Sequence, residues 1–224
     1  MSGGLFVTFE GIEGSGKSTQ AGLLAEALRA RGARVVASRE PGGTAFGAAL
    51  RGMLLDPSAG AIAPLAELFL YLADRAQHVR EVVGPALASG ACVVCDRFAD
   101  ATVAYQGHGR RLDPAFIAAA CGRAAGGLVP DLTFLLDCED VGGGVARARR
   151  RQEADGTAGV ADRFEREELA FHRRVRDGYR TLAAAAPGRF RVLPAAAPID
   201  ELHRRVLAAV VPALAAAPGA ERAR

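Results

Sequence analysis

The chain has 224 residues, 50% of them hydrophobic and 24% charged, with a formal net charge of +3. It carries no long polar tract, which fits one compact domain with a sizeable core. The charge balance is modest, and the arginines gather between residues 147 and 180 rather than along one face, which argues against a nucleic-acid partner.

The N-terminus lacks a basic segment followed by an apolar run, and the most apolar late stretch, VLAAVVPALAAA, is short and interrupted by Pro212. Neither a leader nor a membrane span is expected, and the reading is a cytoplasmic protein with no membrane partner. Of four cysteines, Cys92 and Cys95 form C-x-x-C inside the strand-like run ACVVCD. An offset of three puts strand side chains on opposite faces, so these two do not converge on a metal. Reduced, buried thiols are expected for all four.

In chain order, LFVTFE (5–10) is a short β-prone run, and GIEGSGKST (11–19) follows it. The latter fits G-x-x-x-x-G-K-S/T and holds the single lysine among 28 Lys and Arg. Gly11, Gly14 and Gly16 allow tight turns that point successive N–H groups at an anion. Lys17 would reach terminal phosphates and Ser18 would ligate magnesium. A compact ammonium suits a phosphate chain at a helix mouth better than the planar fork of arginine. The next segment, STQAGLLAEALRARG, lines up Leu23, Leu24, Ala27 and Leu28 on one helical face before Gly32 ends it.

Strand-like runs recur at RVVASRE (34–40), ACVVCD (91–96), LTFLLD (132–137) and FRVLP (190–194), with helical patterns between them. This alternation predicts an α/β fold with a parallel sheet covered by helices on both faces and ligands at the carboxyl ends of the strands, and the phosphate loop after the first strand makes it of the P-loop NTPase type. The loops after the strands are therefore the informative ones. REPGGT (39–44) places Arg39 and Glu40 ahead of a sharp Pro-Gly-Gly turn. AELFLYLADRAQHVREVVGPAL reads as an amphipathic helix with Tyr71 and Arg75 on one face. DRFADATVAYQGHGR (96–110) begins with Asp96 at a strand end and Arg97 beside it. An acidic residue there suits magnesium orientation, and Asp137, which also ends a strand, competes for that role.

Further on, arginines 147, 149, 150 and 151 precede a Gly-containing break and Asp162-Arg163-Phe164-Glu165. These read as a flap between two helices, in which arginines close over a phosphate chain. The four histidines, 78, 108, 172 and 203, are scattered, and no Ser/His/Asp set is apparent. A single domain over 1–212 and a flexible tail over 213–224 are expected.

Together FEGIEGSGKST, REPGGT, the A-D-R-A-Q-H of residues 73–78, and D-R-F followed by AYQGHGR resemble the bacterial thymidylate kinases, P-loop enzymes that make dTDP from dTMP and ATP. The resemblance runs from about Leu5 to Val211 and implies a five-stranded parallel sheet, a homodimer and a flexible lid over ATP at about 147–163. It implies ATP held by Gly11, Ile12, Glu13, Gly14, Ser15, Gly16, Lys17, Ser18, Thr19 and Arg147, with magnesium at Ser18 and Asp96. Catalysis would rest on Glu13, Lys17, Asp96, Arg97 and the lid arginines Arg149 and Arg151. The dTMP phosphate would meet Arg39 and Arg97, near Glu40. Tyr71 would stack on thymine, Arg75 would bond its O4, Thr102 and Gln106 would meet its N3 edge, and Tyr105 would pack where a ribose 2′-hydroxyl projects. Tyr71 stands where Phe is usual and Thr102 where Ser or Asn is usual. The segment EADGTAGVADRFE is longer than the family pattern. The competing readings are another P-loop kinase and a non-kinase P-loop ATPase or GTP switch. A guanine motif Asn-Lys-x-Asp is absent, since the chain has no Asn and no second Lys.

Overall fold

The computed structural model describes residues 3–56, 60–154, 164 and 167–217, with side chains at 151–154 excepted. Five strands, β1 (Phe6–Glu10), β2 (Val35–Arg39), β3 (Cys92–Asp96), β4 (Leu132–Asp137) and β5 (Phe190–Pro194), form one parallel sheet in the order β2-β3-β1-β4-β5. Each expected strand falls within its sequence run. Because β1 is central, the strand order reverses around it, and the loop after β1 opens into the crevice where such sheets bind ligands. The register aligns Phe9 with Asp96 and Asp96 with Arg39, so three strand ends converge at one edge.

Both faces of the sheet are covered, as continuous apolar strands require. On one side α1 (Lys17–Arg29) and α9 (Ile199–Ala216) bury Leu24, Leu28, Leu202, Val206 and Val210 against Val7, Phe9, Cys92 and Phe134. On the other, α8 (Leu169–Ala185) contributes Phe171, Val175 and Tyr179 to a cluster with Ile12, Leu135 and Phe190. Beside it Phe6, Val93, Cys95 and Phe98 pack with Val83 and Leu87. Cys92 and Cys95 thus belong to opposite faces, and all four cysteines are buried free thiols.

Local chemistry sets the remaining helices. Thr44 caps α2 (Ala45–Leu55) by accepting from Gly47 N–H at 2.9 Å. Pro64 and Pro114 open α3 (Pro64–His78) and α6 (Pro114–Ala124), where a missing N–H costs nothing. The single helix expected over AELFLYLADRAQHVREVVGPAL is instead α3, a π-helical turn over Val79–Val83 and α4 (Gly84–Ala88). Pro85 has no N–H to give the turn before it and its ring crowds the carbonyl there, and the wider π-helical turn relieves that crowding. The segment after β3 is likewise helical, as α5 (Ala99–Thr102) and a second π-helical turn over Val103–Gly109.

Helix α7 (Val141–Ala154) carries Arg147 and Arg149 and includes the backbone of Arg151. Most of the expected lid, 155–163, lies outside the described residues, as does 218–224 of the expected tail. The expected boundary at 212 is passed: α9 continues through Pro212 to Ala216, its last turn made of strong helix formers. No described helix is long and apolar enough to cross a membrane.

Candidate active site

The loop between β1 and α1 turns on three glycines with positive φ, Gly11 at 140°, Gly14 at 68° and Gly16 at 93°. Gly14 is needed for space as well as for its backbone angle: a Cβ there would lie 1.9 Å from the Gly144 carbonyl oxygen. A Cβ on Gly144 would in turn lie 3.2 Å from the Glu13 carbonyl oxygen, so these two glycines let α7 lie directly on the loop, a use the sequence did not disclose. Arg147 reaches back from α7 and donates to the Gly14 carbonyl at 3.3 Å.

Lys17 is buried and curls over its own loop, donating to the Ile12 carbonyl at 2.7 Å and to Ser15 Oγ at 3.3 Å. Burial, joined by the Arg97 charge, lowers its ammonium from 10.5 to about 8, against the pull of Asp96, Glu13 and Glu10. Ser18 Oγ donates to Asp96 Oδ2 at 2.5 Å, while Asp96 Oδ1 is buried with no partner. Asp137, by contrast, is paired bidentately with Arg176 at 2.6 and 2.9 Å. Geometry thus separates two aspartates that strand position alone left equivalent. A hydroxyl and a carboxylate with an orphaned oxygen suit a hard cation that keeps most of its water. Among the described residues no cluster of three or more His, Cys, Asp or Glu offers a closed metal cage.

Arg97 is the hinge of the cleft and has a positive φ of 70°, unusual for a side chain of its size. Its guanidinium donates to Glu13 Oε1 at 3.0 Å, Tyr105 Oη at 2.9 Å and Tyr179 Oη at 3.1 Å, and lies 4.7 Å from the Tyr105 ring centroid. Tyr105 Oη in turn donates to Glu13 at 2.5 Å, and Tyr179 Oη donates to Glu10 Oε2 at 2.8 Å. Burial would raise the Glu13 carboxyl, but His172, Arg97 and Lys17 around it win, and hold it well below the usual range. Glu10, inside β1, goes the other way. Burial and the nearby Asp100 charge raise it to about 8.

At the far end of the cleft Tyr71, Arg75, Thr102, Tyr105, Gln106 and Phe164 line one pocket, continuous with Arg39, Glu40, Lys17, Ser18 and Asp96 in a cavity of about 770 Å³. Thr102 Oγ1 is buried without an oxygen or nitrogen partner. Arg75 is fully buried, and donates through Nε to Glu40 at 2.9 Å and through Nη2 to the Phe98 carbonyl at 3.0 Å. Its Nη1 has the weak acceptor Cys121 Sγ at 3.6 Å. Arg149 is exposed on α7, and the Arg151 side chain lies outside the described residues.

The histidines correct one expectation. Ser38 Oγ lies 2.6 Å from His78 Nε2, and His78 Nδ1 lies 2.9 Å from Glu40 Oε1, so a hydroxyl–imidazole–carboxylate set does exist. Its members come from β2, the turn after it and α3, a convergence that spacing does not signal. Glu40 also takes Arg75, and Gly43 packs so closely that a Cβ would lie 2.4 Å from the His78 ring. The set braces the REPGGT turn against α3. Fully buried His172 points at Glu13, with Nδ1 3.2 Å from Oε2 but outside hydrogen-bond angles. Glu10, Tyr179, His172, Glu67 and Arg110 were not singled out from sequence. A carboxylate inside an apolar strand, as in FVTFE, was the available signal for Glu10.

Comparison with known proteins agrees with this arrangement. A family model described as thymidylate kinase matches residues 9–206. The chain is 55% identical over 202 residues to a thymidylate kinase of Solidesulfovibrio magneticus, covering 90% of this chain and 96% of that one. It is 51% identical over 212 residues to one of Trichlorobacter lovleyi, covering 94% and 99%. A crystal structure of thymidylate kinase from Ehrlichia chaffeensis superposes with a TM-score of 0.72 at 32% identity, covering 93% of this chain and 98% of that one. With a matched model spanning most of its length and relatives above half identical end to end, the chain belongs to the thymidylate kinase family.

Proposed function

We propose that the cleft transfers the γ-phosphoryl group of ATP to the 5′-phosphate of dTMP, giving dTDP. The observation that carries this reading is Arg97, held by Glu13, Tyr105 and Tyr179 and lining one cavity together with the Lys17 loop, Thr102 and Gln106. ATP phosphates lie on the amides of Gly11 to Thr19 under Lys17, with Arg147 at the edge of the loop. Arg39 and Arg97 hold the acceptor phosphate, whose oxygen is already largely ionised near neutral pH because its second pKa is about 6. No general base is required, and the Ser38, His78 and Glu40 set is assigned only the bracing of the REPGGT turn. Catalysis rests on positioning and on charge, with Glu13 kept ionised to orient Arg97 and an arginine of α7, Arg149 or Arg151, to meet the transferring group. Magnesium, held through Ser18 and Asp96, supplies further charge neutralisation when bound.

Tyr71 stacks on the base, Arg75 meets O4, and Thr102 and Gln106 meet the N3 edge. ADP release with ATP and magnesium, offered dTMP, dUMP, dCMP, dAMP, dGMP, UMP or no acceptor, tests the assignment. dTMP dominates and dCMP is silent. dUMP trails by roughly 10- to 200-fold, because one missing methyl in an apolar pocket is worth only ~1–3 kcal/mol. ADP formed equally without an acceptor would leave an ATP site and remove the acceptor pocket.

The reading extends to a homodimer in the cytoplasm. Phe46 and Met53 on α2, Leu65 and Phe69 on α3 and Phe116 on α6 are exposed on helices that pack side by side, α2 on α3 and α3 on α6. A second copy of the chain is the occupant that covers such a face symmetrically. Buried, unpaired thiols suit a reducing compartment. Sedimentation at micromolar concentration giving only a monomer would remove the dimer.

A further inference from the structure

We infer that Glu67 sets the hydrogen-bonding polarity of the base pocket, acting as a positioning residue through Gln106. The inference deepens the proposed function and rests on it. Glu67 is a fully buried carboxylate on α3, and it does not line the cleft. Its Oε1 receives Gln106 Nε2 at 2.7 Å and Arg110 Nε at 3.2 Å, and its Oε2 receives Arg110 Nη2 at 3.1 Å. An arginine can only donate, so both oxygens of Glu67 accept, and the group that faces them from Gln106 must be the amide NH₂. That decides which way round the Gln106 amide stands, a choice that shape alone leaves open.

With its nitrogen committed, Gln106 has its carbonyl oxygen left for the pocket it lines, beside Thr102 Oγ1, which has no oxygen or nitrogen partner. An acceptor at this point matches a pyrimidine whose ring nitrogen carries a hydrogen, as in thymine and uracil. It meets the bare ring nitrogen of cytosine lone pair to lone pair. Arg110 keeps Glu67 in this state from the other side. Its guanidinium is tied to Glu167 at 2.6 Å and lies 4.7 Å from the Phe171 ring centroid, so it cannot easily turn away. Selectivity for the base edge is therefore written two residues deep, on a carboxylate that touches no substrate.

Glu67→Gln tests this, because it should invert the polarity. Arg110 takes the carbonyl of the new amide through Nη2 and gives up its longer 3.2 Å Nε bond, so the NH₂ faces Gln106, which turns to present its own NH₂ to the pocket. kcat/KM for dTMP and dCMP, read as ADP release, should show the dTMP-over-dCMP ratio falling at least about tenfold, the scale of one mismatched buried hydrogen bond. Gln106→Met should lower the ratio too, and adding E67Q to Q106M should lower it no further. The exchange E67Q/Q106E keeps the buried charge and keeps an acceptor toward the pocket, so it should hold dTMP over dCMP. It carries the test if E67Q alone does not fold. A folded E67Q protein with the wild-type ratio, or an exchange variant that favours dCMP, overturns the inference while leaving the kinase reading intact. A wild-type protein with no dTMP-dependent turnover would remove both.

Discussion

Lys17→Met should abolish turnover and at the same time stabilise the empty protein near neutral pH. The residue is buried, and burial together with Arg97 pulls its ammonium from 10.5 to about 8. At about 1.4 kcal/mol per tenfold, holding the proton there costs the fold on the order of 3 kcal/mol. Against this stand the bonds to the Ile12 carbonyl and Ser15 Oγ, each contributing about 1 kcal/mol net. Methionine fills the same space without charge, so a gain of about 1 kcal/mol is expected, or roughly 2–4 °C in Tm for a chain of this size. Turnover should fall by about 10²–10³-fold or more, since the charge that meets the phosphates is gone.

The pH dependence separates this from generic repacking. Between about pH 8 and 10.5 the folded lysine has released its proton while the unfolded one has not, so the unfolded chain binds more protons and wild-type stability climbs relative to K17M. The penalty is complete below about pH 8 and fades above it. Urea denaturation of both proteins at pH 7 and pH 9.5, beside ADP release with dTMP, measures all three quantities. A K17M protein that is less stable than wild type at pH 7 would refute the cost assigned to the buried charge. One that turns over dTMP normally would refute the role assigned to the loop.

Two other perturbations address the frame around Arg97 and the loop. Glu10, raised to about 8 by burial and by Asp100, stays protonated in the fold while the unfolded chain ionises, so wild-type stability should decline from about pH 4.5 to 8 and level off above. In Glu10→Gln that decline should flatten, as urea midpoints across this window would show; an unchanged slope would mean another group carries it. Gly14→Ala forces a Cβ into the Gly144 carbonyl at a φ of 68° and should cost about 1–2 kcal/mol from backbone strain alone. Since the clash lies between the loop and α7, KM for ATP should rise well before KM for dTMP, and equal effects on both would argue against a local displacement.

Much of the frame was legible in the sequence because it is written in short-range terms. Strand runs such as ACVVCD and LTFLLD are apolar on both faces, and the phosphate loop needs its glycines and lysine at fixed spacing, so β1 to α1 followed directly. The resemblance then named Asp96, Arg97, Thr102 and Gln106, and the fold lines one cavity with all four. What escaped is long-range and polar. Glu10 meets Tyr179 across 169 positions, and Ser38 meets His78 across 40. A tyrosine on α8 or a histidine on α3 looks like any other half-polar helix residue until the tertiary contact exists.

The π-helical turn over Val103–Gly109 shows what naming the residues left unread at the site. Its amide bonds skip one residue more than an α-helix, as in Arg110 N–H to the Tyr105 carbonyl at 2.8 Å. Adjacent residues of the turn point in different directions, and here Tyr105 faces Glu13 and Arg97 while Gln106 faces Glu67. Sequence named both residues, and the fold gives them different neighbours, one at the cationic centre of Arg97 and the other on the carboxylate of Glu67. Interior carboxylates complete that division: Glu13 is held ionised beside Arg97, Glu10 is driven toward its neutral form behind Tyr179, and Glu67 accepts from both sides. Three glutamates with one side chain and three surroundings thus orient residues that line the cleft, and it is their burial that makes each orientation firm.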